Sequence, residues 1–529
     1  MTAKSTLSCL MAALFFTGCV SNEDDLKNAI GSINKEDMIL HISTISSDDF
    51  MGRAPATVGE ERTIAYLSQQ FERIGLKPGN GESYFQEVPL IKISADRNMS
   101  FTIRAGKREF DLKFAEDFSG GTPQLANEIA FEKSDMIFVG YGINAPEYNW
   151  NDYKDVDVKG KTVLMLVNDP GYATADSSLF QGRSMTYYGR WTYKFEEAAR
   201  QGAKAAIIIH ETGAAAYPWG VVQGSWSGSK YYLADNMLSK SDLYLQSWIT
   251  TDCAKMLFEG AGKDYEKMTA SASVRGFKPV SLNMIASVKI KNSVEYTKSS
   301  NVAALWPGKG KKDEYLIYTA HWDHLGINTM FGPDSILNGA LDNATGTAAL
   351  IEIAEAFTKL AKRQERSVLF LAVTGEEQGL LGSEYYAQHP IYAADKTAGV
   401  INMDGLNILG RTKDMTISGL DKSYLDTVAI SVLNKYGRYV CPDPTPEKGG
   451  YFRSDHFSFA KVGIPALSLS KGVEDLERGK EWALKWWEQW IVDNYHKPSD
   501  EFDPEKWNFD GLIEDTGVYF EIGYVVANR

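Results

Sequence analysis

An apolar run that ends in two adjacent acids constrains this chain more than any other stretch. Val368-Leu369-Phe370-Leu371-Ala372-Val373 reads as a strand buried on both faces, the pattern of a parallel sheet covered by helices. It runs directly into Thr374-Gly375-Glu376-Glu377-Gln378. Two carboxylates side by side at the end of a core strand repel each other and lose hydration, so the position is costly unless a cation or a proton meets them. In open α/β sheets the carboxyl ends of strands are also where ligands sit. The structural alternative is that the pair caps the following helix, where acids favour the positive end of the dipole.

Other stretches repeat the arrangement. Residues 315–320 form a second apolar run that ends in His321-Trp322-Asp323-His324, and residues 399–403 end in Asp404. Leu341-Asp342-Asn343 opens a helix striped with Leu350, Ile353, Phe357 and Leu360. Asp342 or Asn343 can cap it, so one carboxylate is free to both cap and ligate. His496 lies in a late loop, Tyr495-His496-Lys497-Pro498-Ser499-Asp500. Of 7 histidines, His321, His324, His456 and His496 fall in this half beside acids. Imidazole and carboxylate together make the ligand set of zinc or a similar divalent ion, with no cysteine required. Separations of 21 residues from His321 to Asp342, 35 to Glu377 and 27 to Asp404 leave room for one β-α or α-β crossover between ligands. The expected class is α/β: a mostly parallel central sheet with helices on both faces and the ligands along one edge.

Taken in order, these motifs resemble the M28 family of zinc peptidases. They are His-x-Asp at 321–323, Asp-Asn-Ala-Thr-Gly at 342–346, Gly-Glu-Glu at 375–377, Asn-x-Asp at 402–404 and Tyr-His-x-x-x-Asp at 495–500. The resemblance implies a zinc exopeptidase fold with two zinc ions per chain. One ion would be held by His321 and Asp404, the other by Glu377 and His496, with Asp342 bridging. Glu376 matches the family's general base, a task its neighbour Glu377 cannot perform while ligating. Tyr495 resembles a tyrosine that stabilises the oxyanion. Arg453, in Arg453-Ser454-Asp455-His456, matches a segment beside the site and has the planar fork to bind a substrate carboxylate, with Asp455 and His456 orienting its surroundings.

Further expectations concern the neighbours of these residues. Asp323, two residues after His321 in extended chain, points the same way and can accept the imidazole's second N–H. Asp500 is expected to serve His496 similarly. His324 and His456 are expected to be satisfied structural histidines, and the stripe Trp482, Trp486, Trp490 to pack. Asp48 to Pro55 resembles the family's substrate-side N-terminal loop, or is a surface turn built around Gly52 and Pro55. The leading functional expectation is a metalloaminopeptidase removing the N-terminal residue from peptides. The alternatives are a carboxypeptidase with Arg453 reading the free C-terminus, a one-zinc glutaminyl cyclase, and a receptor-like binding protein that lost its metals. Retention of all five ligand positions and Glu376 disfavours the last two.

Lys4, the apolar stretch 10–16 and Thr17-Gly18-Cys19 look like a bacterial lipoprotein signal over residues 1–19, with Cys19 as the lipidated first residue. The acidic residues 21–25 then read as a tether. The expected organisation is a first peptidase segment at 26–130, an insertion at 131–288 and the catalytic segment at 289–529. The insertion's strand, helix, strand texture resembles a protease-associated (PA) domain, a smaller β-rich α/β module. A formal charge of −14 disfavours nucleic acid as a partner, and any membrane contact is expected only through Cys19. Cys253 and Cys441 are expected to stay free thiols.

Overall fold

A computed structural model of the chain describes residues 22–237 and 243–529; the signal expected at 1–19, with Cys19, lies outside them. The apolar runs form the centre of an α/β fold. Arg366–Val373, Lys311–His321, Thr397–Asn402 and Ala466–Ser470 lie side by side in that spatial order, each parallel to the next. The register places His321 opposite Val373 and Thr319 opposite Asn402, so the carboxyl ends of three strands finish nearly level. Their side chains alternate between two covered faces. Leu316 and Tyr318 face a core shared with the helices Lys35–Ile45, Thr345–Lys359 and Phe509–Ala527, while Ile317, Leu369 and Leu371 face Tyr386 and Phe459 on the other side. Burial on both faces is why these strands read as unbroken apolar runs. Gly523 allows the closest approach: a Cβ there would collide with the Tyr318 side chain, whose hydroxyl donates to Tyr519 O at 2.8 Å.

One strand, Val280–Trp306, belongs to two sheets. Its last residues pair antiparallel with Arg366–Val373, and residues 292–302 pair with Phe85–Ala95. Its first half pairs instead with Ser100–Ala105 and Glu128–Phe138. That second sheet continues through three mutually parallel strands, Thr162–Leu166, Ala205–His210 and Leu245–Thr250, over its own core around Phe101, Phe138, Leu164, Ile207 and Phe258.

Two expectations about organisation are corrected. The second sheet begins before residue 131, because Ser100–Ala105 already pairs within it, and residue 288 falls inside an unbroken strand. Antiparallel strands of either sheet carry the same alternation, so no change of texture marks the joins. Residues 22–25 are also not a tether. They open the helix Asn22–Ile30, and the buried Asp25 carboxylate accepts the N–H groups of Ala361 and Lys362 at 2.7 and 3.1 Å. Residues Val58–Arg73 form an amphipathic helix with Leu67 and Phe71 buried.

Candidate active site

The strand ends bring most of the expected ligands together. His321 Nε2 lies 3.3 Å from Asp342 Oδ1 and 3.4 Å from Asp404 Oδ1. His496 Nε2 lies 3.1 Å from Glu377 Oε2 and 3.6 Å from Asp342 Oδ2. Asp342 thus turns one oxygen to each imidazole. It is free to do so because Asn343, not Asp342, caps the helix Thr345–Lys359: Asn343 Oδ1 accepts the Gly346 N–H at 2.9 Å.

The supporting contacts differ from expectation in several places. His321 Nδ1 meets the backbone oxygen of Asp323 at 3.2 Å, whereas the Asp323 carboxylate is 3.8 Å away and accepts the Glu376 N–H at 3.1 Å. Asp323 therefore fixes the backbone of Glu376 more directly than the ring of His321. Asp500 does not serve His496. Its two oxygens accept the N–H groups of Leu341 and Asp342 at 2.9 and 3.1 Å and so hold the turn that carries Asp342. In the segment 453–456 the residue that touches a ligand is Ser454, whose hydroxyl donates to Asp404 Oδ2 at 2.6 Å. Asp455 and His456 are fully buried, and none of their side-chain oxygens or ring nitrogens has a hydrogen-bond partner. His324 is not a satisfied bystander: its Nδ1 stands 2.7 Å from Glu377 Oε1, making it a third imidazole at the centre. The tryptophan stripe packs as expected, although the buried member of the helix Gly479–Asn494 is Trp487.

Sequence reasoning missed Arg53. Far from capping a surface turn, it is 1 % exposed. Its guanidinium donates to the carbonyls of Trp322 (2.9 Å), Ile45 (2.8 Å), Asn338 (2.5 Å) and Gly339 (2.8 Å), tying the strand end that carries His321 to the turn before Asp342. Burial lowers its pKa to about 10 while Asp500, Asp323, Asp342 and Glu377 hold it up, so it remains a cation beneath four acids.

Electrostatics at this point are dominated by crowded carboxylates. Burial opposes protonation of His321, but Glu376, Asp342 and Asp404 outweigh it and lift its pKa well above the ordinary imidazole value. Burial likewise works against the Glu377 carboxylate, yet His496 and His324 bring it down to about 2. Glu376 is held well above the carboxylate range, by burial above all and then by Glu377 and Asp404 against the pull of His321. Two sets of ligand atoms, from His321, Asp342 and Asp404 and from His324, Asp342 and Glu377, each lie within 4.8 Å of one another. His496 Nε2 and Glu377 Oε1 are buried and, despite approaches of 3.1 Å to Glu377 Oε2 and 2.7 Å to His324 Nδ1, make no hydrogen bond of good geometry. Borderline nitrogen and carboxylate donors, closely grouped and wanting positive charge, fit a divalent cation such as zinc.

The centre opens into a cleft of about 240 Å³, lined by Glu376, Arg453, Tyr495, Arg190, Trp226 and Lys230 among others. The Tyr495 ring stacks on His496 at 3.9 Å between centroids. Arg453 donates to Ala215 O at 3.0 Å and lies over the Tyr217 ring. Cys253 and Cys441 are free and buried.

Comparison with known proteins agrees with this geometry. The model of peptidase family M28 matches residues 301–520. Aminopeptidase NAALADL1 of Mus musculus is 34 % identical over 122 residues, 22 % of this chain and 15 % of that protein. A probable zinc metalloprotease of Pyrenophora tritici-repentis is 38 % identical over 106 residues, 20 % of this chain and 21 % of that protein. The matched stretch thus spans about a fifth or less of these relatives' length. The fold as a whole is shared with the aminopeptidase from Aneurinibacillus sp. strain AM-1, at TM-score 0.56 and 19 % identity, covering 95 % of this chain and 96 % of that one. It is shared too with a peptidase M28 precursor from Shewanella amazonensis, at TM-score 0.51 and 16 % identity, covering 96 % and 98 %.

Proposed function

Through residues 301–520 the chain belongs to peptidase family M28, and from that premise we propose that it is an exported zinc aminopeptidase that removes the N-terminal residue from peptides. The observation that carries the reading is Asp342, with Oδ1 turned to His321 and Oδ2 to His496 beside the cleft that Glu376 lines. In this reading His321 and Asp404 would hold one zinc ion and Glu377 and His496 a second, with Asp342 available to both. When bound, such a pair would polarise the scissile carbonyl and make water nucleophilic near neutral pH.

The remaining work falls to side chains of this chain. Glu376, on the cleft wall with its backbone fixed by Asp323, takes the proton of the attacking water and delivers it to the leaving amine. Tyr495, which also lines the cleft, donates to the developing oxyanion in this reading. The leader and Cys19 make the protein a lipid-anchored one in this reading, facing the periplasm or the cell surface, with peptides as its substrates.

Replacing Glu376 by Gln tests the assignment. Turnover of amino-acid anilides should vanish while elemental analysis still finds the wild-type zinc content, because a base has been removed and not a ligand. A metal-free Glu376→Gln variant would reverse the roles of the two glutamates.

A second reading, a carboxypeptidase or an exopeptidase preferring very short peptides, is favoured by two guanidinium groups in the cleft. Arg190 and Arg453 both line it, and each has a buried Nε without a hydrogen-bond partner. N-blocked peptides with a free C-terminus would be cleaved only in this reading, and free-amine peptides with an amidated C-terminus only in the first.

A further inference from the structure

His496 differs from His321, Glu377 and Asp404 in that no strand delivers it. His321 ends the strand Lys311–His321, and Glu377 and Asp404 follow the ends of Arg366–Val373 and Thr397–Asn402. His496 instead follows the helix Gly479–Asn494 in the left-handed region, at φ +57°, where a residue other than glycine is held only by its surroundings. Its ring orientation therefore depends on what touches it.

Two contacts do. The Tyr495 ring stacks on one face and leaves rotation in the ring plane unrestrained. Nε2 points to Glu377 Oε2 at 3.1 Å and Asp342 Oδ2 at 3.6 Å, so Nδ1 points away from the acids. The atom that meets Nδ1 is Ser225 Oγ, at 3.3 Å and 271 residues distant in sequence. Ser225 sits on the helix Trp219–Trp226 of the inserted segment. That helix is fixed by Trp219 Nε1 and Gln223 Nε2, which donate to Ala115 O at 2.9 and 2.6 Å, and by Asn328 Nδ2, which donates to Gly224 O at 3.4 Å. The hydroxyl is thus held by a framework that does not include His496.

We propose that Ser225 is the positioning residue of His496: it accepts the Nδ1 proton, sets the tautomer with the Nε2 lone pair turned to Glu377 and Asp342, and makes the inserted segment a structural part of the metal centre. An imidazole ligates through one nitrogen only while the other carries its proton, and an outer partner for that proton is worth about 10–100-fold in metal affinity or activity. Among the described residues nothing comparable joins the inserted segment to His321, whose Nδ1 is met within its own strand end by Asp323 O. The effect of Ser225 therefore falls on one ion and not on both. This inference rests on the two-ion reading above.

The test is a zinc titration of the full chain against a chromophoric chelator, for wild type, Ser225→Ala, Ser225→Thr, His496→Ala and the His496→Ala/Ser225→Ala double variant. Ser225→Ala is expected to hold one equivalent as tightly as wild type and the second about 10–100-fold more weakly. Ser225→Thr, which keeps the hydroxyl, should restore the second. Adding Ser225→Ala to His496→Ala should change nothing further, which a merely structural role would not reproduce. Equal affinities in Ser225→Ala and wild type, or equal weakening of both equivalents, would overturn the proposal. A wild type that binds a single equivalent would instead overturn the two-ion reading, and whether Ser225→Ala weakens that one ion then decides Ser225 on its own.

Discussion

Replacing Arg53 with Met removes a cation that four carbonyls and four acids surround. The guanidinium donates to Trp322, Ile45, Asn338 and Gly339 while 1 % exposed, so no water stands ready to replace it. Each buried carbonyl left unpaired costs about 1–3 kcal/mol, which sets an upper bound, since carbonyls have a second lone pair and the pocket relaxes. Breaking a buried charge arrangement by deleting one side typically costs about 3–5 kcal/mol, and that is the expected loss here. At about 2.1 cal/mol/K of unfolding entropy per residue, a 529-residue chain shifts by about 1 °C per kcal/mol, so thermal unfolding followed by circular dichroism should fall by about 3–5 °C. Arg53→Lys should recover little, because one ammonium cannot reach carbonyls on three separate segments. Arg108→Met, an exposed arginine on the strand Arg108–Asp111, is the control and should shift stability by no more than about 0.5 kcal/mol. An Arg53→Met protein that melts with the control would refute the claim that this residue ties the two ligand-bearing segments together.

Asp500→Asn should weaken zinc binding by about 10–100-fold with little change in melting temperature, because an amide NH₂ would face one of the two N–H groups, of Leu341 or Asp342, that the carboxylate now accepts; unchanged affinity in a chelator titration would remove Asp500 from the centre. Glu60 gives a pH prediction. Burial lifts its carboxyl to about 7, so the folded chain keeps a proton that the unfolded chain releases near pH 4.5. Its contribution to stability is whole below that pH and is lost as pH rises through 7, by up to about 3 kcal/mol. Glu60→Gln should flatten that decline and exceed wild type in denaturant midpoint at pH 8, and a steeper decline in the variant would show the sign to be wrong.

What the sequence revealed and what it hid divide along one line. The strands were legible because burial on both faces leaves an unbroken apolar run, and the acids and histidines at their ends were conspicuous because charged groups rarely end core strands without a partner. Arg53 was hidden because the carbonyls of Trp322, Asn338 and Gly339 lie 269 to 286 residues away, while its immediate neighbours Gly52 and Pro55 read as a turn. Ser225 was hidden for the same reason: a serine in a short helix carries no periodic signal of a histidine 271 residues on. Asp500 was near enough to His496 in sequence to be assigned to it, yet its oxygens went to the backbone of Leu341 and Asp342, since two unpaired N–H groups in a buried turn demand acceptors. Local pattern thus identified the residues of the site, and only long-range contact identified what each one leans on.

The strand Val280–Trp306 has a mechanical corollary. One uninterrupted backbone serves as girder to both halves of the molecule, so swinging one half away from the other would shear rungs of two ladders at once. The expected consequence is a gap between the halves whose bore changes little after folding. A frayed polypeptide terminus can thread such an aperture where the flank of a compact protein cannot, which would confine attack to chain ends without any moving door.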